Sequence, residues 1–259
     1  MPVIIALIGL SGFLLYRTHV LHKKRSEKQN GTKSTMARAS SGVLKACDEE
    51  VQHAILEGSL ILIQTYTNFF KEKHKELKQL RKQSKKLAKE IKQIREEIPN
   101  TLKKFEENDL ERGHFYVQVV TYMVEMCNSL SHIVQPAFNH LDNNHAFDKE
   151  QNRSIMEFAD QMKAYFAQLV ELLKHRKYDQ LDALVLQHDK LIQIANEILY
   201  NRVKIIKKKQ KGVKVSVTYI EMITETKNFL LNALHLVKAN IKLMNSFASA
   251  ANPGATKSQ

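Results

Sequence analysis

Residues that break regular structure are scarce in this 259-residue chain, which has eight Gly, four Pro and no Trp. So few breakers over that length exclude an architecture of short strands and tight turns, and they favour long helices. The two cysteines, Cys47 and Cys127, stand 80 residues apart in no metal-type spacing, which excludes a disulfide framework and a zinc knuckle. A reducing compartment fits that usage. A glycine-rich phosphate loop, a nucleophile with a base partner and a zinc spacing are all missing, so the chain is not expected to be an enzyme. No recognition-helix motif or set of stacking aromatics is present either, and nucleic acid is not an expected partner.

What the chain has in excess is positive charge, and it is local. The formal net charge is +13, while residues 23–38, 71–98 and 202–214 together carry +18. Basic segments of this kind suit anionic lipid headgroups or other anionic partners. The first segment comes after an apolar run from Pro2 to Tyr16. With Arg17 and His19 snorkelling, the run reaches about 20 residues, enough for a transmembrane helix over 1–22. Lys23, Lys24 and Arg25 come next, and the positive-inside rule then places the rest of the chain in the cytoplasm, as a single-pass protein of the inner membrane. An uncharged start also suits the last membrane helix of a longer protein cut near its beginning. Residues 23–41 are polar and aperiodic and are predicted to form a basic linker.

From there on, apolar residues recur at steps of three and four. Ser40 or Ser41 is predicted to cap a helix from Val43 to Phe70, whose Leu60 to Ile63 run suggests burial on several sides. Leu77, Leu80, Ser84, Leu87, Ile91, Ile94 and Ile98 form a heptad-like seam over 71–98, with eleven Lys and Arg on the outer face and Pro99 as the terminator. The central helix, 108–145, carries Val119, Tyr122, Met123, Met126, Leu130, Ile133, Val134, Ala137 and Leu141 on one face, and Pro136 is expected to bend it. Helices at about 149–176, 178–211 and 216–249 complete the pattern. The fold class is therefore all-α, an N-terminal transmembrane helix followed by six long helices. The division is a first bundle over 42–147, a second over 148–250 and a disordered tail at 251–259.

Several polar groups fall on shared helical faces, because residues four apart stack. Glu50, His53 and Glu57 form one row, and Glu125, Ser129 and His132 another. A di-iron bundle would need a second Glu-x-x-His and further Glu, which the chain lacks. In the second half Asp179, Asp182 and Asp189 line one helix, and Glu221 and Glu225 the next. Antiparallel neighbours would let those carboxylates face each other around a hard cation or iron, so a divalent metal or iron is the cofactor class left open. Lys207, Lys208 and Lys209, like Lys23, Lys24 and Arg25, are assigned to a membrane surface.

Two stretches carry a family resemblance. YDQLDALVLQHDKLIQIANEI, from Tyr178 to Ile198, and EMITETKNFLLNALHLV, from Glu221, resemble the paired carboxylate-bearing helices of PhoU-like domains. The central stretch from Asp109 to His145, with CDEEVQHAILEGSLILIQTY from Cys47, resembles the cytoplasmic region that comes after the last membrane helix of long bacterial phosphate permeases of the PiT or Na/phosphate cotransporter type. The resemblance covers roughly residues 40–250. It implies two PhoU-like three-helix bundles, a Glu-x-x-x-Asp metal motif that reads Glu221-x-x-x-Glu225 here and Glu125-x-x-x-Ser129 in the first half, and a role in phosphate transport or its control. The implied partners are the membrane and the transporter's transmembrane domain, with inorganic phosphate met indirectly and a homodimer compatible. The alternatives are a metal-binding bundle of di-iron type and a basic scaffold for protein, anionic lipid or nucleic acid.

Overall fold

The computed structural model describes residues 34–105, 110–141, 149–208 and 213–251. The transmembrane helix expected over 1–22, together with Lys23, Lys24 and Arg25, lies outside the described residues, as do Lys209 and residues 252–259. The described residues form helices joined by short turns and contain no strand. None of their helices is long and apolar enough to cross a membrane. The chain divides into two units, Met1–Ala39 and Ser40–Gln259, and the buried core belongs to the second.

Seven α-helices and one 3-10 turn succeed one another in the order α1 Ser34–Phe70, α2 His74–Glu96, α3 Ile98–Leu102, α4 Leu110–Leu141, α5 Lys149–His175, the 3-10 turn Tyr178–Gln180, α6 Leu181–Lys208 and α7 Val213–Ala251. Six of these are the long helices read from the periodicity. Two local expectations change. Helix α1 begins at Ser34, nine residues before the expected start. The stretch Met36, Ala37, Arg38 and Ala39 consists of good helix formers, and the capping potential of Ser40 and Ser41 does not stop it. Pro99 does not end α2; it sits in the first turn of α3, where its missing N–H and fixed φ are tolerated. Helix α4 runs past Pro136 as expected, for five further residues.

The predicted apolar faces become the core. Leu77, Leu80, Ser84, Leu87 and Ile91 of α2 are buried, and so are Val119, Met123, Met126, Leu130, Ile133, Val134 and Ala137 of α4. Tyr165, Phe166, Leu169, Leu172 and Leu173 of α5 join them. Helix α4 packs extensively against α7, and α2 packs against α4. The α4 to α7 contact joins the segments on either side of the connection at 142–148. Arg112 Nη2 donates to the Ser246 carbonyl at 3.2 Å, the rings of Tyr122 and His235 lie 5.2 Å apart, and His132 stands 3.9 Å from Glu225. Those pairs march in opposite directions along the chain, so α4 and α7 are antiparallel.

Helix α1 meets three others. Its Gly58 lets the neighbouring helices approach closely: a Cβ there would stand 3.2 Å from Phe229 of α7 and 3.5 Å from Met126 of α4. Tyr66 places its hydroxyl 2.7 Å from the Thr226 hydroxyl and 3.3 Å from the Met222 carbonyl, all in the core. Against α2, His53 lies 3.5 Å from Glu90. Enclosure by these neighbours accounts for the burial of both Ile61 and Leu62, adjacent residues that point in different directions.

The two hairpin turns, α1 to α2 and α5 to α6, are built alike. In each, the residue just after the left-handed position donates its N–H to the carbonyl five positions back, Lys73 to Asn68 at 2.9 Å and Lys177 to Leu172 at 3.1 Å. The residue before it bonds the next carbonyl along, Glu72 to Phe69 and Arg176 to Leu173. Both turns are Schellman motifs, and their left-handed positions hold Glu72 and Arg176, each with φ 52°. A side chain in that region crowds its own backbone, which glycine avoids. Replacing the exposed Glu72 by Gly is therefore expected to stabilise the protein by about 0.5–1 kcal/mol. Chemical denaturation followed by circular dichroism measures it, and a destabilised Glu72→Gly variant would show that the side chain contributes more than its strain costs.

Candidate functional site

The acidic residues singled out in the second half are mostly solvated. Asp179 lies in the 3-10 turn and Asp182 in the first turn of α6, both exposed. Asp189 is exposed, with a carboxylate oxygen 3.1 Å from Nδ1 of His188. Glu221 is exposed at the surface of α7, while Glu225 is partly covered and lies 3.9 Å from His132 Nδ1, with Asn228 Nδ2 donating to it at 3.3 Å. Helices α6 and α7 pack together, with Lys227 Nζ donating to Asn196 Oδ1 at 2.6 Å and the Arg202 guanidinium 4.9 Å from the centre of the Tyr219 ring. Glu125 of α4 is exposed, Ser129 buried and His132 exposed. Among the described residues no three His, Cys, Asp or Glu side chains come together in a way that could hold a metal ion.

Within the Glu50, His53 and Glu57 row, His53 lies 3.5 Å from one oxygen of Glu90 of α2, and Lys86 approaches the other oxygen of Glu90 at 3.7 Å. The hydrogen bond from His53, and then its charge and that of Lys86, hold the Glu90 carboxyl below its usual range against the opposing effect of burial. Of the basic residues assigned to a membrane surface, Lys207 is described and exposed at the end of α6, and Lys208 is the last residue of that helix.

One buried charged site was passed over by the sequence pattern. Asp48, which stands with Glu49 and Glu50 in an acidic triplet, is only 5% exposed. Its Oδ1 accepts Asn240 Nδ2 of α7 at 2.9 Å, and its Oδ2 accepts Gln52 Nε2 and Arg176 Nη2, each at 3.3 Å. Three segments distant in sequence therefore converge on one carboxylate: α1, the left-handed turn after α5, and α7. The Asn240 carbonyl oxygen and the Tyr178 hydroxyl are buried here without a hydrogen-bond partner among the described residues. Burial, then the negative charge of Asp48, raises the Tyr178 phenol, with Arg176 opposing. A second polar group lies between α5, α6 and α7, where the rings of Tyr165 and His188 are 6.3 Å apart. Burial, then Lys238 and His188, lowers the His235 imidazole.

Chemically, these sites tie helices together. The Cys127 thiol is pushed up to about 12, chiefly by burial, and Cys47 is raised by burial and by Glu50 and Asp48, so both stay protonated, the opposite of an activated nucleophile. Nothing in the sequence spacing could have found the Asp48 site, because its partners lie 128 and 192 residues away.

The Asp48 site sets an asymmetry between its partners. Asp48→Ala leaves the buried Asn240 amide without its acceptor and is expected to cost about 1–3 kcal/mol in stability. Arg176→Ala removes a partner whose side chain is 63% exposed and is expected to cost less than about 1 kcal/mol. Equal losses in urea denaturation would refute the asymmetry. The Glu90 pair sets a pH dependence. A carboxyl whose folded pKa lies below its ordinary 4.5 adds stability above that value and loses it as pH falls through the lowered folded pKa. Between about pH 6 and about pH 3 the wild-type urea midpoint should fall more than that of Glu90→Gln, and parallel curves would show that the pair contributes nothing to acid sensitivity.

No protein-family model matches the sequence, and no curated protein is similar to it in sequence. In fold, the chain is similar to the crystal structure of the phosphate transport system regulatory protein PhoU from Streptococcus pneumoniae, with a TM-score of 0.58 over 78% of this chain and 97% of that one, at 10% sequence identity. At that identity the likeness concerns the fold, and the fold is PhoU-like.

Proposed function

We propose that this chain is a PhoU-like regulatory region of an inorganic phosphate transporter, controlling phosphate uptake without catalysing a reaction of its own. The observation that carries the reading is the likeness in fold to a phosphate transport regulator across nearly that protein's whole length. The partner is the transporter's transmembrane domain. The apolar run from Pro2 to Tyr16, with Lys23, Lys24 and Arg25 after it, supports attachment to the inner membrane with the helical unit on the cytoplasmic side.

The reading is tested by deleting residues 42–250 in the cells that make the protein and measuring uptake of radiolabelled phosphate in phosphate-poor and phosphate-rich medium. Intact cells should lower uptake when phosphate is plentiful, and deleted cells should lose that response. Identical uptake by both strains in both media would sink the proposal.

A further inference from the structure

Helix α2 turns a continuous lysine stripe to solvent. Lys75, Lys78, Lys82, Lys85, Lys89 and Lys92 alternate at steps of three and four, the spacing that keeps side chains on one face, and all six are exposed. At 1.5 Å per residue the stripe runs about 25 Å. It lies opposite the buried seam of Leu77, Leu80, Ser84, Leu87 and Ile91, so packing of the helix against α4 fixes its direction. Two other basic residues of the helix are committed differently: Arg81 sits over the Phe138 ring at 4.2 Å, and Lys86 pairs with Glu90 at 3.7 Å. Within the stripe, Lys92 approaches Glu96 at 3.8 Å, while Lys75, Lys78, Lys82, Lys85 and Lys89 make no ion pair among the described residues.

Five unneutralised lysines in a row repel one another, and contact with a surface of opposite sign relieves that repulsion. We propose that the lysine stripe of α2 docks on the anionic phospholipid headgroups of a membrane. The stripe contains no arginine, whose planar fork recognises individual phosphates, and lysine's flexible point charges suit a diffuse array of headgroups. The helix has no aromatic residue on which a base could stack other than its terminal His74, and it offers a single line of charge on a convex surface rather than a groove to track a strand. A line of contact is also what a helix can make with a plane. The proposal rests on the membrane attachment proposed for this chain only for bringing it near a bilayer.

The test uses the full chain with vesicles of phosphatidylcholine, alone or with phosphatidylglycerol added. A polarity-sensitive dye is placed on Gln79→Cys, an exposed position flanked by Lys75, Lys78 and Lys82; Cys47 and Cys127 are buried and leave the new thiol as the reactive one. Retention on phosphatidylcholine alone reads the N-terminal attachment, and the dye response to phosphatidylglycerol reads the stripe, so either can fail without the other. The dye should report a less polar surrounding only when phosphatidylglycerol is present, and high salt should reverse it. With Lys78, Lys82, Lys85 and Lys89 all changed to Gln, the phosphatidylglycerol needed for half the response should rise at least about tenfold. A dye that ignores phosphatidylglycerol, or a quadruple variant that responds like wild type, overturns the proposal. So does tighter binding of the stripe to duplex RNA or DNA at equal salt, which would assign it to nucleic acid.

Discussion

The close approach of α1 to α2, α4 and α7 is the constraint on which the remaining packing depends. A helix enclosed on several sides can carry polar groups only where each meets a partner, since an unpaired buried polar group costs more than a hydrogen bond returns. Tyr66 meets Thr226 and Met222, Asp48 meets Asn240 and Arg176, and Gly58 leaves room for Phe229 and Met126. These contacts fix the axial register of α1 against α7 at two points, Asp48 and Tyr66. The outer elements then need only pack: α2 lays its apolar seam on α4, and α5 and α6 close the other side through α7.

Much of this was legible in the sequence, and the reason is periodicity. The buried positions of α2, α4 and α5 are those that the steps of three and four singled out, because a helix whose one face is solvated must repeat its apolar residues at that period. The resemblance of the Tyr178 to Ile198 and Glu221 onward stretches to PhoU-like helices agrees with the fold. What periodicity cannot show is which polar face of an amphipathic helix ends up covered. Asp48 and Asp182 look equivalent as acidic residues near expected helix starts, yet one is buried beneath α7 and the other is exposed. Stripes on adjacent helices also need not face each other: Asp179, Asp182 and Asp189 do lie along one chain segment, but α6 can turn them to water at no cost.

Helix boundaries were less legible. Ser40 and Ser41 are good caps, but a cap is used only if the preceding residues leave the helix, and here they do not. Pro99 similarly reads as a stop in sequence and serves as a start in the structure, because proline is excluded from helix interiors and admitted at first turns.

The paired Schellman turns bear on how the chain finds this arrangement. Each reversal is held by hydrogen bonds that span at most six residues, so α1 and α2, and likewise α5 and α6, can close with little loss of chain entropy. The Tyr66 to Thr226 contact instead spans 160 residues. Low contact order in the hairpins and high contact order in the seat of α7 argue for an order of events: two hairpins formed early, and α7 captured late. The last helix is then the one whose docking completes the core, and a nascent or truncated chain that lacks it holds α1 and α4 with their shared apolar wall open.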